Sequence, residues 1–192
     1  MKPVVELGRR VCLGVLAGAV AGLVAGGIGG RLFMSALAAL NPDMAGVESD
    51  DGFTMGQVTL SGTVNLLLVC TMLGAFAGLV WVAVRGLRFG PAWWRAVSMP
   101  LAAALVIGDQ LIRTDGIDFQ LLEPAVVAVG LTLAVPALAT VIVTALGDRW
   151  IGGGVTVWQA LPPAFAWTAR AAITTGVALA TAGLVADLRL IL

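Results

Sequence analysis

Histidine and tyrosine are both absent from this sequence of 192 residues. Histidine is the side chain that most often serves as a general base or metal ligand near neutral pH, so its absence excludes most hydrolytic triads. The two cysteines, Cys12 and Cys70, lie in apolar runs and follow no metal-binding or disulfide spacing. We therefore expect no catalytic residue, no metal and no cofactor, and we interpret both cysteines as small apolar side chains.

Charged residues are also scarce. They make up 11% of the chain, whereas a soluble domain carries about 25%. Hydrophobic residues make up 59%, and the mean hydropathy is +1.01. Basic and acidic residues balance at 11 each and form no basic block, so we expect no nucleic-acid partner. These proportions predict an integral membrane protein whose first partner is the lipid bilayer.

Long apolar runs are what the sequence has instead. A bilayer core about 30 Å thick takes roughly 20 helical residues. We predict an all-α, polytopic helical bundle in one membrane domain, residues 1–192, with transmembrane helices at about 11–40, 61–84, 96–112, 124–146 and 164–186. Residues 150–163 are too short and too interrupted by glycine and proline to span, so we interpret them as interfacial or re-entrant. A sixth crossing is the alternative.

The basic residues indicate an orientation. If the N-terminus lies in the cytoplasm, most basic residues lie on the inner side: Lys2, Arg9, Arg10, Arg85, Arg88, Arg95, Arg149 and Arg170. Most acidic residues then lie on the outer side. Because cytoplasmic loops carry an excess of lysine and arginine, the pattern predicts an N-terminus inside and a C-terminus outside.

Two outer loops, residues 41–60 and 113–123, are the sizeable polar segments. In the first, short runs flank a turn at Asp50–Gly52 and predict a short β-hairpin. The second holds a turn at Asp115–Gly116. Both loops lie on the same side, so we expect them to pack as a small extracytoplasmic cap. Carboxylates can hold a divalent cation, but these acids lack an EF-hand spacing, and we interpret them as solvated loop residues.

Glycine recurs at every fourth position of the first apolar run, at Gly14, Gly18, Gly22, Gly26 and Gly30. Residues i and i+4 lie nearly above one another on a helix, so this row forms a shallow groove. In lipid, close van der Waals contact drives helix association. We predict tight packing against another helix of the chain, either the one with Gly74 and Gly78 or the last one. A homo-oligomer contact, a contact with another membrane subunit and a pore lining are the alternatives.

Arg31 follows the last of these glycines. If the first helix starts near Val11 and ends at Arg31, the arginine lies at the outer interface and snorkels to the headgroups or pairs with an outer acid: Asp109, Asp115 or Asp118. If the helix continues to Leu40, Arg31 lies deeper and needs a partner. A ligand- or lipid-facing site is the alternative. Asp109 and Arg113 are spaced i, i+4, so they can instead pair with each other.

The runs GGRLFMSALAALNPD, DDGFTMGQVTLSGT and DGIDFQLLEP resemble a group of uncharacterised multi-pass membrane proteins common in actinobacteria. The resemblance implies a bacterial cytoplasmic (inner) membrane location and a shared fold, and it supplies no activity. Our first hypothesis is a non-enzymatic accessory, assembly or lipid-associated bundle. The alternative is a small transporter or channel in which Arg31 binds an anion or a lipid headgroup. An intramembrane enzyme is the third, and no nucleophile–base pair supports it.

Overall fold

The structure is a computed structural model that describes residues 2–47, 54–112, 122–152 and 156–191. This part of the chain is helical and contains no β-strand, which confirms the all-α class. Its α-helices are α1 (Lys2–Ala21), α2 (Gly29–Leu40), α3 (Leu60–Val84), α4 (Ala92–Leu111), α5 (Ala125–Ile151), α6 (Val157–Ala160) and α7 (Pro163–Ile191). A π-helical segment, Gly22–Ile28, joins α1 to α2 without a break.

Four helical stretches of the described chain are long and apolar enough to cross a membrane: Val5–Leu40, Leu60–Leu87, Ala125–Ile151 and Pro163–Ile191. They match four of the five predicted spans. The remaining predicted span, 96–112, corresponds to α4. This helix of 20 residues carries Arg95 and Asp109 near its ends and is not among the four. Both α5 and α7 run about five residues past the predicted ends, because a helix does not stop where the hydrocarbon does.

The long helices lie side by side in the order α3, α1–α2, α5, α4 and α7. The first span lies between α3 and α5, so it has neighbours on two sides. By contrast, α7 lies at the edge of the row, and only Ala180 and Leu184 are buried among its residues. Large apolar side chains on α3 and α7 are exposed, including Met72, Phe76 and Leu179. This distribution suits lipid as the surrounding solvent, since lipid does not penalise exposed apolar surface.

The predicted β-hairpin and cap are not confirmed. The turn at Asp50–Gly52 lies in residues 48–53, outside the described residues, and so does most of the second loop. On the described flanks, Met55 accepts a backbone hydrogen bond from Gly46 (3.1 Å) and donates one to Val47 (2.8 Å) without forming a strand. The start of the first loop contacts the end of the second, because the Glu123 N–H donates a hydrogen bond to the Asn41 side chain at 2.8 Å.

The predicted interfacial segment contains only one short helix in its described part. Helix α6 has four residues, which extend about 6 Å, so it does not cross a membrane. The side-chain oxygen Oε1 of Gln159 accepts a hydrogen bond from the Thr156 backbone and caps this turn. Trp158 then holds α6 against the end of α3 by donating its indole N–H to the Ala83 carbonyl at 2.6 Å.

Candidate functional site

The glycine row brings the backbones of α1 and α3 into direct contact. A Cβ atom added to Gly18 would overlap the Gly74 carbonyl oxygen and lie 2.6 Å from the Gly78 Cα atom. The same addition at Gly22 would fall 2.8 Å from the Gly74 Cα atom. Adding one at Gly78 would place it 3.0 Å from the Gly18 Cα atom. Only glycine fits these positions at this helix separation, and the pairing shows that α3 runs antiparallel to α1.

The contact loosens towards the end of the row. A Cβ atom on Gly26 would meet the side chain of Cys70 at 3.0 Å, and one on Gly30 would meet nothing closer than a Leu66 methyl group at 3.8 Å. Gly26 lies inside the π-helical segment. Its i→i+5 hydrogen bonds place nearly one extra residue in each turn, so the contact with α3 passes to Gly27, where an added Cβ atom would lie 2.7 Å from a Leu67 methyl group.

Beside the row, Ala17, Ala21 and Ala25 are almost completely buried. Ala17 and Ala21 pack in one cluster with Trp81, Val143 and Ile151, which come from α3 and α5. The bulky residues of the opposite face of the first span, among them Leu16, Val24 and Ile28, are exposed. Small residues therefore face the protein and large ones face outward.

Arg31 lies inside a continuous helix. It stands nine residues before Leu40, the end of α2, which corresponds to about 13 Å along the helix axis. The Nε and Nη2 atoms of its guanidinium are shielded from solvent. The helix thus continues to Leu40, the arrangement in which an intramembrane arginine requires partners because its desolvation is costly.

The acids predicted near Arg31 are only partly described. Asp109 lies near the end of α4, where its carboxylate packs against the Cα position of Gly183 on α7 and accepts a hydrogen bond from Gln110 at 3.1 Å. Arg113, Asp115 and Asp118 lie outside the described residues. Within the described ranges no group of three metal-ligating side chains comes together. The pairings of Arg31 and Asp109 with these residues stay predictions.

The opposite end of the bundle carries a dense set of arginines around Trp81. The indole of Trp81 is 2% exposed, covers Gly147 of α5 and donates to the Thr144 hydroxyl at 3.2 Å. The guanidinium carbon atoms of Arg85 and Arg88 lie 5.5 and 5.7 Å from the centre of this ring. Cations at that distance from an indole face are attracted by its quadrupole.

The two arginines differ in their hydrogen-bond partners. Arg88 forms a two-pronged salt bridge with Asp148 of α5, with N–O distances of 2.6 and 2.9 Å. Arg85 donates one Nη hydrogen to the Gly152 carbonyl at 2.8 Å, while its Nη1 atom is buried and has no hydrogen-bond partner among the described residues. Arg88 and Asp148 also line a cavity of about 310 Å³, together with Arg95.

Three side chains donate hydrogen bonds to carbonyl groups at the end of α3 and in the turn that follows it, Arg85–Leu87. Trp158 donates to Ala83, Arg88 to Arg85 at 3.2 Å, and Arg170 of α7 to Leu87 at 3.1 Å. The last carbonyls of a helix lack internal partners and carry partial negative charge, so arginine is well suited to them. We call this set of residues (Trp81, Arg85, Arg88, Asp148, Trp158 and Arg170) the arginine end.

Sequence reasoning assigned these arginines only to the inner side. It did not identify Trp81 or the Arg88–Asp148 pair. One signal was available, because Trp81 and Arg85 are spaced i, i+4 at the end of an apolar run and must share a helix face. The partners on α5 and α7 are 60 and more residues away in sequence, and no local pattern indicates them.

No protein-family model, curated protein or solved structure matches this chain.

Proposed function

We propose that the chain is a non-enzymatic accessory, assembly or lipid-associated helical bundle of the bacterial cytoplasmic membrane, with its N-terminus inside. The arginine end is the observation that carries this proposal. The two described acids at this end of the bundle, Glu6 of α1 and Asp148 of α5, are both in salt bridges with arginines. The arginines at this end outnumber these two acids, and Trp93 and Trp167 lie exposed at the same end. Excess positive charge with exposed tryptophan is typical of the face that meets anionic headgroups on the cytoplasmic side.

The proposal also draws on the closed packing of α1 and α3. A backbone contact of this kind, which we interpret as a glycine zipper, favours a rigid scaffold over a sliding helix. The resemblance to actinobacterial multi-pass proteins agrees with the proposed location and remains a prediction.

Cysteine labelling tests the orientation. In a variant with Cys12 and Cys70 replaced by alanine, a cysteine at Gly8 or at Leu190 reports one end each. A Cβ atom added at Gly8 would have no described neighbour within 4 Å, and Leu190 is 78% exposed. We expect a membrane-impermeant maleimide to label Leu190→Cys in intact spheroplasts, and Gly8→Cys only after permeabilisation. The reverse pattern would refute the orientation.

Extraction in mild detergent tests the accessory role. We expect the purified chain to retain a membrane partner or anionic phospholipid in fixed stoichiometry, measured by native mass spectrometry. Recovery as a lipid-free monomer, as stable as the chain in native membranes, would contradict the proposal.

A second candidate function, a small anion transporter or channel, is favoured by the π-helical segment that ends just before Arg31. Such wide turns often occur at functional sites. This function requires that Arg31→Gln abolish anion flux into proteoliposomes and that Arg149→Gln, which changes an exposed arginine, leave flux intact. Equal flux with and without the protein would eliminate it.

A further inference from the structure

A groove of about 500 Å³ lies on the surface of the bundle at the arginine end. It is lined by Phe89 from the α3–α4 connection and by five residues of α7: Trp167, Arg170, Ala171, Thr174 and Thr175. Phe89 and Trp167 are 55% and 66% exposed, so the groove opens away from the protein core. The groove runs along α7 for more than one helical turn, from Arg170 past Ala171 to Thr174 and Thr175.

Arg170 is held in place at the head of this groove. Its guanidinium carbon lies 5.2 Å from the centre of the Trp167 ring and 5.7 Å from that of Phe89. Its Nε–H donates to the Leu87 carbonyl at 3.1 Å. Three contacts thus fix the plane of the guanidinium, while its two Nη groups make no hydrogen bond to any described residue. Fixed paired donors of this kind suit the oxygens of a phosphate.

No carboxylate of the described chain pairs with Arg170. Asp148, the acid beside the arginine end on α5, is committed to Arg88 through both of its oxygens. The positive charge at the groove is therefore not neutralised by the described protein. Charge complementarity at this groove therefore favours an anion from outside the described protein.

The position of Arg170 along α7 decides which anion. The 29 residues of α7 extend about 43 Å, some 13 Å more than a bilayer core of about 30 Å. Arg170 lies about 10 Å from the start of α7, so a bilayer core would begin near Arg170 if the excess length lies at this end of the helix. Below it, Ala171, Thr174 and Thr175 offer a shallow strip between exposed apolar residues of the same helix.

We infer that this groove is a binding site for one anionic phospholipid, with the headgroup phosphate on the Nη groups of Arg170 between the Phe89 and Trp167 rings and an acyl chain along Ala171 to Thr175. The inference deepens the lipid association in the proposed function and rests on it. It differs from general attraction to a charged surface, because it assigns the preference to one arginine.

Lipid titration of the delipidated full chain tests the site. Phosphatidylglycerol and phosphatidylcholine with identical oleoyl chains are added in detergent, and bound lipid is counted by native mass spectrometry. We expect the unsubstituted chain to bind one phosphatidylglycerol about tenfold more tightly than phosphatidylcholine, because both lipids carry a phosphate but the choline cation of phosphatidylcholine offsets that charge and is repelled by Arg170. Arg170→Gln should abolish this preference.

Arg149→Gln is the matched control. Arg149 is exposed at the same end of the bundle, in the last turn of α5, and its loss changes the net charge equally. We expect it to keep the preference. If Arg170→Gln keeps the preference as well, the site is wrong while the lipid association stands. If the unsubstituted chain shows no preference, both are wrong.

Two further measurements separate the lipid from a soluble anion and test the groove without changing Arg170. Added inorganic phosphate should not displace phosphatidylglycerol at equal concentration, and displacement would identify a soluble anion as the occupant and overturn the proposal. Ala171→Trp fills the exposed groove and leaves Arg170 in place, so it should also abolish binding. If Ala171→Trp binds phosphatidylglycerol normally, the groove does not hold the lipid chain.

Discussion

At the scale of single residues, the same amino acid has different roles at different positions of this chain. Gly18 lies where a side chain would collide with the backbone of α3, whereas Gly176 on α7 and Gly130 on α5 have no described neighbour within 4 Å of an added Cβ atom. Glycine lowers helix stability relative to alanine by about 0.5–1 kcal/mol in water, so its presence needs a reason. The reason at Gly18 is the approach of Gly74 and Gly78.

Alanine substitution tests this distinction. We expect Gly18→Ala to lower the free energy of unfolding by about 1–3 kcal/mol, because the added methyl group must push α1 and α3 apart. The measurement is unfolding in a mixed-micelle titration with sodium dodecyl sulfate. Gly176→Ala is the control and should leave stability unchanged or slightly raised. Equal effects of the two substitutions would mean that the α1–α3 backbone contact does not form in the membrane.

At the scale of helices, connections between ends hold the bundle in register. The salt bridge from Arg88 to Asp148 ties the connection after α3 to the last turn of α5, and Trp81 fills the space beneath it against Gly147. Arg170 and Trp158 then attach α7 and α6 to the same helix end. The α3 end is therefore the point at which four helices converge.

A double-mutant cycle measures the main connection. Arg88→Gln and Asp148→Asn should each destabilise the chain, and their coupling should be about 1 kcal/mol, because Asp148 is 48% exposed and the pair is partly screened. The coupling should fall as salt rises. Arg95→Gln combined with Asp148→Asn is the control, since Arg95 lines the same cavity without a salt bridge in the described structure. Additive effects in both cycles would refute the connection.

At the scale of the whole molecule, the exposed surface is what separates a membrane protein from a soluble one. Met72, in the middle of α3, is 72% exposed, and Leu190, near the end of α7, is 78% exposed. In water, a charge at either site would cost little. In a bilayer, only the site at the helix centre faces hydrocarbon.

Arginine substitution distinguishes these environments. Met72→Arg should impair insertion of α3, since arginine at a helix centre costs about 2.5–3.5 kcal/mol on translocon scales. Leu190→Arg should insert normally, because its side chain reaches the interface. The readout is the fraction of protein recovered in carbonate-washed membranes. Normal recovery of Met72→Arg would show that α3 does not face lipid there.

The sequence by itself determined the class of the molecule and most of its helices. Lipid has no water to satisfy backbone polar groups, so each long apolar run must form its own hydrogen bonds, and composition alone predicts helices. The apolar runs predicted both ends of Leu60–Val84 and the start of Pro163–Ile191 to within one residue. It also predicted a smooth face on residues 14–30, because small residues at fixed spacing share one side of a helix.

Only the tertiary structure decided which surfaces meet. Glycine spacing could not choose between α3 and α7 as the partner of α1, since both carry small residues; the antiparallel fit of Gly18 to Gly74 and Gly78 decided it. The same holds for the groove at Arg170, whose aromatic walls come from positions 78 residues apart in sequence, Phe89 and Trp167. Contacts between distant segments depend on helix rotation and register, and a local pattern does not encode them.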